Sequence, residues 1–349
     1  MRHIGLLGVL CWAANYGYAA PGNTLFSDDF RAMAPLQLQI SGPLAALARD
    51  QDVEPASRAG TLTLGDSDTS FRIGLKPRGK SRRNRSNCRF PPLWLEFDKA
   101  DIVDTPFAGH HRRKLVTQCV ALSASNRDPS KIWLEMLAYR AWNLLTEQSL
   151  RVHPVQITWQ DSATPKKTHQ HAGFIIEHKK ELARRSALAA AKMKKVKHAA
   201  LDPALANLAA LLNLMIGNPD FSLTSVAAGD NCCHNSVPMQ DANGRVQPII
   251  YDFDNTGLVN PKYGSTPPHL KLASVRQRVY RGYCRHNAQV ASSVAQLLAR
   301  RTEIESLFAE HPGISQSEKR RVAKYLGAFF TRYTNAKDQQ RRLVGRCLG

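Results

Sequence analysis

Pro248-Ile249-Ile250-Tyr251-Asp252-Phe253-Asp254-Asn255-Thr256-Gly257 is an apolar run that ends in two carboxylates one residue apart and then in turn-forming residues. Val246–Phe253 reads as a strand or strand pair, since β-branched and aromatic side chains fit a pleated, half-buried surface, and the segment after it, 255–271, as loop. Carboxylates at the end of a buried strand need a cation, hydrogen-bond donors or a proton. Working outward, Asp202-Pro203 is an N-cap followed by proline at the first helical position. Ala204–Ile216 is apolar enough to be a central buried helix, and Gly217-Asn218-Pro219-Asp220 follows it. His234-Asn235 lies in a segment, 218–241, that reads as loop.

An Asp on a loop, an Asn after it and an Asp ending a strand are the side chains that phosphoryl transfer uses. One Asp orients or deprotonates the nucleophile, while the Asn and the second Asp hold Mg²⁺ on the phosphates. Other readings compete. The Asp252-Phe253-Asp254-Asn255-Thr256 pattern resembles haloacid-dehalogenase-type phosphatases, in which Asp252 would be the nucleophile and Asp254 the general acid/base. That chemistry needs a later acidic pair, and the only Asp after Thr256 is Asp338, in a basic terminal helix. An EF-hand fails because the twelfth loop position is Tyr263. Gly74-Leu75-Lys76-Pro77-Arg78-Gly79-Lys80-Ser81 matches the P-loop pattern, but Arg82-Arg83-Asn84-Arg85 and Phe90-Pro91-Pro92 follow where a helix is required. Cys232-Cys233-His234 lacks the two-residue gap that lets zinc ligands converge.

Several of these segments, in this order, resemble the CotH spore-coat protein kinases. Arg78-Gly79-Lys80-Ser81, Phe90-Pro91 and Leu93–Phe97 are similar to that family's opening segment, and Ala172–Glu177 to the strand before its lobe junction. Asn218–Asp220, His234-Asn235 and Tyr251–Asp254 look like its catalytic and metal loops, and a group of uncharacterised exported bacterial proteins shares further segments. The resemblance implies a bilobal, protein-kinase-like α+β fold that binds ATP and Mg²⁺ and transfers a phosphoryl or nucleotidyl group to a protein or small-molecule acceptor. It makes Asp220 the catalytic residue and Asn235, Asp252 and Asp254 the metal set. Lys114 with Glu135 is the candidate lysine–glutamate pair, and Arg78 and Lys80 are candidate phosphate contacts. The family's paired lysines after Phe-Pro are replaced by Pro92 and Leu93. A kinase-like scaffold that binds an anionic envelope component without catalysis is the alternative.

The rest of the chain reads as strands at Leu36–Ser41, Thr61–Leu64, Ser70–Leu75, Leu93–Phe97, Lys114–Ala121, Val152–Trp159 and Ala172–Glu177. Ser130–Gln148 reads as an amphipathic helix among them. Two terminal helices follow, at Asn287–Glu310 and Ser315–Arg342, the second opened by a Ser315–Glu318 capping box. A strand-rich first half, 20–178, and a helix-rich second half, 179–349, give the expected N-lobe and C-lobe.

Residues 1–19 read as a signal peptide. Arg2-His3 precede the apolar Ile4–Ala14, and Gly17 and Ala19 are small residues for cleavage before Ala20. No later stretch is apolar enough to span a bilayer, so an exported protein, periplasmic or extracellular in a bacterium and not transmembrane, is expected. Export leaves six cysteines, Cys88, Cys119, Cys232, Cys233, Cys284 and Cys347, for disulfides. Adjacent Cys232 and Cys233 are expected to bond elsewhere. The chain of 349 residues carries 48 Lys+Arg against 28 Asp+Glu, a net charge of +20. Such a charge points to an anionic partner. Twenty of the basic residues fall in three clusters, at 72–89, 179–197 and 276–285, and only the last interleaves aromatics, at Tyr280 and Tyr283. That composition favours an anionic envelope surface over nucleic acid.

Overall fold

Apolar residues alternate along most strands of the first half, as a one-sided sheet requires. The computed structural model describes residues 24–27, 34–50, 52, 54–65, 69–124, 127–191, 193–225 and 232–349, and the expected signal peptide lies outside them. Strands β1 (Leu36–Gly42), β2 (Arg58–Leu64), β3 (Ser70–Pro77), β4 (Leu93–Phe97), β5 (Arg112–Thr117), β6 (Val152–Asp161) and β7 (Thr168–Ile176) join in the order β1-β2-β3-β4-β5-β7-β6. Their neighbours are antiparallel except at one seam, where β1 runs parallel to β6 with Leu36 opposite Val155 and Gly42 opposite Asp161. That seam closes a seven-stranded barrel and leaves no strand edge unpaired. Helix α1 (Leu44–Arg49) packs Leu44 and Leu47 into the barrel core.

Inward residues such as Ile40, Leu62, Leu75, Leu95, Ile157 and Trp159 fill the barrel. Trp159 meets Phe90 edge-on at 5.0 Å. Gly60 is required where β2 passes β1, because a Cβ there would lie 2.7 Å from the Ser41 carbonyl oxygen. The outward residues Val116, Val152, Phe174 and Ile176 belong to a second core. Helix α2 (Ser130–Asn143) lies on them, and Trp133, Leu134, Leu137 and Trp142 are all buried there. Each such side chain contributes about 1.5–3 kcal/mol on burial.

Beyond the barrel come α3 (Lys179–Arg185), β8 (Ala189–Ala190), α4 (Pro203–Ile216), β9 (Ser236–Gln240) and β10 (Val246–Ile250). Helices α5 (Val290–Ala299), α6 (Arg301–Glu310), α7 (Gln316–Tyr333) and α8 (Ala336–Arg342) follow. The three short strands form an antiparallel sheet, β10-β9-β8, and α2, α4, α5, α6 and α7 surround the second core.

The expected bilobal protein-kinase-like fold, with a strand-rich N-lobe and a helix-rich C-lobe, is overturned by this architecture. The strands close on themselves into a mixed barrel, and α2 belongs to the helical core on the barrel's outer wall. β5, β6 and β7 are apolar on both faces, which lets one wall serve two cores. Smaller corrections concern the second half. Ser236–Gln240, read as loop, is a strand because β10 pairs with it. Each terminal helix is interrupted, at Arg300 and at Thr334-Asn335, where the Asn335 side chain caps α8. The Ser315 capping box does not form: the Ser315 amide donates to Ser130 Oγ, and Glu318 pairs with Lys131 and Arg321. A reciprocal capping box does form at His178 and Glu181, at the start of α3.

The disulfides are Cys88–Cys119, Cys232–Cys233 and Cys284–Cys347, so the adjacent cysteines bond to each other and not elsewhere. The reason is spatial. Cys88 sits beside the exit of β5, and Cys284 beside the C-terminal segment, where the Cys284 amide donates to the Leu348 carbonyl. The bond also removes Cys232 and Cys233 as zinc ligands.

His178 stacks on His110 with ring centroids 3.5 Å apart. Burial and the neighbouring His110 push His178 down to about 3; burial first, then surrounding cationic groups, push His110 down to about 4. Unfolded imidazoles titrate near ~6.5. Between that value and the folded ones the unfolded chain binds more protons, so these groups stabilise the fold above the unfolded value and that contribution is lost as pH falls. Asn caps helices well, so His178→Asn removes one titrating ring while keeping an acceptor. The drop in melting temperature from about pH 7 to about pH 4.5 should therefore be smaller in the variant. An equal drop would refute the assignment.

Candidate functional site

Helix α4 ends where Gly217 adopts φ 69°. A Cβ there would collide with the Tyr325 hydroxyl, so glycine is needed for space as well as conformation. The Asn218 amide closes the helix end on the Asn213 carbonyl at 2.7 Å, and Asn218 Oδ1 accepts from the Asp220 amide at 3.0 Å. Asp220 is thereby held one short turn beyond a rigid helix.

Three loops meet at this point. Asn235 Nδ2 donates to the Asp220 carbonyl at 2.7 Å, and the Asn235 carbonyl accepts from the Tyr251 amide at 3.0 Å. The Gly257 and Leu258 amides donate to the Gly217 and Ile216 carbonyls, each at 2.9 Å. The structure therefore brings Asp220, Asn235 and the Asp252–Asp254 loop together. Asn235 and Asp252 both have left-handed backbones, φ 51° and 66°, a conformation Asn and Asp tolerate better than most residues. Such positions persist only where surrounding contacts fix them, and they concentrate at functional sites.

Arg82 locks the site to the barrel. It comes from the β3–β4 loop, and its guanidinium donates to Glu135 of α2 and to Asp254 Oδ2, the latter at 2.8 Å. Tyr263 donates to the same Asp254 oxygen at 2.9 Å. Burial acts to raise the Asp254 carboxyl, but Arg82 and the Tyr263 hydroxyl overcome it and hold the group below its usual range. Burial pushes Glu135 up to about 8 against the pull of Arg82, with Asp254 adding repulsion. One turn along α2, Tyr139 accepts the Asp252 amide at 2.9 Å.

Asp252 differs from Asp254. Among the described residues no hydrogen bond or ion pair reaches its carboxylate, and burial together with Asp254 pushes it upward, against Arg82, Arg78 and Lys114. Lys114, opposite Trp94 across β4 and β5, lies over the Trp94 ring at 5.6 Å and the Tyr251 ring at 5.1 Å. Burial and the nearby Arg78 lower it to about 7, with Asp252 opposing. Arg78 also lies over Trp94, at 5.6 Å. His234 Nε2 bonds Asp220 Oδ1 at 2.8 Å. That bond raises the imidazole pKa, burial opposes the rise, and exposed Lys80 is close enough to oppose it too.

The candidate residues therefore divide. Glu135 takes Arg82, not Lys114, as its ion-pair partner, while Lys114 lies over the Trp94 and Tyr251 rings and feels the charge of Asp252. Asp254 is committed to Arg82 and Tyr263. Sequence reasoning missed Arg82, Tyr139, Tyr263 and the pairing of His234 with Asp220. The only signal for the first two was Glu135 itself, a charge inside an apolar helical run that demands a buried partner. Among the described residues no group of three or more His, Cys, Asp or Glu is placed to hold a metal. Residues 78–92, where a P-loop would need a helix, form successive turns.

No protein-family model matches the chain, and no curated protein matches it either.

The Arg82 bridge makes a quantitative prediction. Arg82→Met leaves a buried Asp254 without its counter-charge and should cost about 3–5 kcal/mol of stability, measured by urea denaturation. Glu135→Gln keeps a hydrogen-bond acceptor for the guanidinium and leaves Asp254 paired, so it should cost less than half as much. Equal costs would mean that Glu135 is a fully ionised partner.

Proposed function

We propose that this site transfers a phosphoryl or nucleotidyl group from ATP to a hydroxyl-bearing acceptor, a protein or a small molecule, with Mg²⁺ as cofactor. The observation that carries the reading is the convergence of Asp220, Asn235 and Asp252 on loops cross-linked by the Asn235 side chain and backbone. The donor set suits Mg²⁺, which uses one or two carboxylates and substrate phosphates and keeps several waters, so it needs no all-protein cage. Asp252 and Asn235 Oδ1 would hold the ion, which when bound neutralises phosphate charge. Lys114 and Arg78 would face the phosphates, with the Trp94 ring beneath them. Asp220 would accept the acceptor's hydroxyl proton as the new oxygen–phosphorus bond forms and the bond to the leaving group breaks. Asp254 would orient its loop through Arg82.

A second reading, nucleotide binding without transfer, draws support from Asp254, whose commitment to Arg82 leaves fewer free oxygens for a metal. The phosphatase reading loses its proton donor for the same reason, since Arg82 keeps Asp254 ionised. We also infer export: three disulfides fit an oxidising compartment. Among the described residues no helix is long and apolar enough to cross a membrane.

ATP with Mg²⁺ should raise the melting temperature of the protein, and Asp252→Asn should abolish the rise. Asp220→Asn should keep the rise and lose transfer of labelled phosphate or adenylate. An Asp220→Asn protein as active as the wild type refutes the catalytic role, and no shift with any nucleotide refutes the nucleotide site.

Lys114 gives a separate test. Its ammonium attracts phosphate below a pKa of about 7 and is lost above it. ATP affinity should fall as pH rises from about 6.5 to about 8, less steeply than the free amine titrates because bound phosphate favours the charged form. Lys114→Arg should be flat over that range, read by calorimetric titration.

A further inference from the structure

We propose that a groove on the barrel, separate from the Asp220–Asp252 site, binds a ligand bearing phosphate-type anionic groups on an apolar body. The groove has a volume of about 590 Å³ and lies between α1, the turn carrying Arg85 and Arg89, the segment after β5, and the β6–β7 hairpin. Arg49, Arg85, Arg89 and Lys167 line it, so four positive charges come together from three separate parts of the chain. Among the described residues none of the four has a carboxylate within ion-pair distance. Elsewhere Arg82, Arg112, Arg113, Arg185 and Arg321 all do.

The one acid in the groove, Asp161, is already engaged. Its Oδ2 accepts the Ala45 amide at 2.6 Å and its Oδ1 the Ala163 amide at 2.8 Å. Four like charges around one concavity repel, and a bound anion relieves that repulsion. The groove is also built to hold its shape. Cys88 lies between Arg85 and Arg89, and its disulfide to Cys119 ties that turn to the segment carrying Ala121 and Leu122. The turn is closed by the Asn87 and Cys88 amides, both donating to the Asn84 carbonyl at 2.9 Å. Leu44, Ala48 and Leu122 supply an apolar floor, so the charges ring a surface that can also seat the apolar body of such a ligand.

Phosphate groups of this kind occur on soluble metabolites and on lipid headgroups, and two probes separate the sources. Inorganic pyrophosphate is titrated calorimetrically, and phosphatidylcholine vesicles with and without phosphatidic acid are tested by flotation. At least one probe should bind wild-type protein, with affinity that falls as salt is raised. The Arg85→Glu/Lys167→Glu double variant should weaken that binding by about tenfold or more, while Asp252→Asn leaves it unchanged. The milder Arg85→Gln/Lys167→Gln variant, with an unchanged melting temperature, should show a smaller loss in the same direction and guards against misfolding. Binding by pyrophosphate alone assigns a soluble ligand, and vesicle binding that requires phosphatidic acid assigns a lipid. Failure of both probes, binding indifferent to the two charge variants, or binding lost in Asp252→Asn would overturn the proposal.

Discussion

A single guanidinium holds the barrel and the helical core in register. Arg82 leaves a barrel loop and bridges Glu135 of α2 and Asp254 of the loop after β10, which lie 53 and 172 residues away in sequence. Removing two carboxylates and an arginine from water is costly, and the arrangement persists only because the fork of the guanidinium meets both acids at once. Its consequence is positional. With Asp254 fixed, the backbone at Asp252 is set by the Tyr139 hydroxyl on one side and by Asn235, through Tyr251, on the other. The position of Asp252 follows from those constraints.

The barrel wall explains how one arginine can reach both acids. Most strands of a closed barrel present polar residues outward, yet β5, β6 and β7 turn Val116, Val152, Phe174 and Ile176 away from the barrel core into the helices. α2 lies flat on that wall, buried nearly all round, and projects Glu135 and Tyr139 from one face at a spacing of four residues. The loop after β3 and the loop after β10 both end on that face. The helix is thus a shared wall between the two halves, which is why a division into separate lobes fails.

Much of this was legible in the sequence. Each of the seven barrel strands overlaps a segment that reads as strand, although the Lys114–Ala121 expectation runs past the end of β5 at Thr117, and Asp202-Pro203 marked the start of α4. Asp220 and Asp252 stood out as chemistry-bearing residues because each follows a strong local element, and Asn235 because phosphoryl transfer uses an Asn between two such carboxylates. What alternation does not carry is partnership. The parallel seam of β1 on β6 joins segments more than a hundred residues apart, as at Leu36 and Val155, and nothing local to either strand declares it. Arg82 was hidden for a different reason: eight basic residues between 72 and 89 read as one solvated run, although one of them turns inward while Arg85 and Arg89 turn out. The pairing of Cys232 with Cys233 was likewise invisible until the other four cysteines had found neighbours.

The distribution of charge says more than its total. With 48 basic and 28 acidic residues, cations are available to most carboxylates. Glu177, Glu181, Glu318 and Asp338 each take an arginine, and Asp254 takes Arg82. Asp252 differs in that, among the described residues, neither an ion pair nor a hydrogen bond reaches its carboxylate although it is half-buried. Lys114, Arg78 and Arg82 lie near enough to lower its pKa, yet none forms an ion pair with it, and burial with Asp254 beside it outweighs them. Rotating one long basic side chain would satisfy it in a chain so rich in cations, but Lys114 is held between Trp94 and Tyr251, and Arg82 is held by two other acids. The fold thus spends its nearby cations elsewhere and keeps one half-buried carboxylate without a donor. The energetic deficit at that carboxylate would be relieved by a cation from solution, and this ties the physical reading of Asp252 to the metal-dependent chemistry proposed for the site.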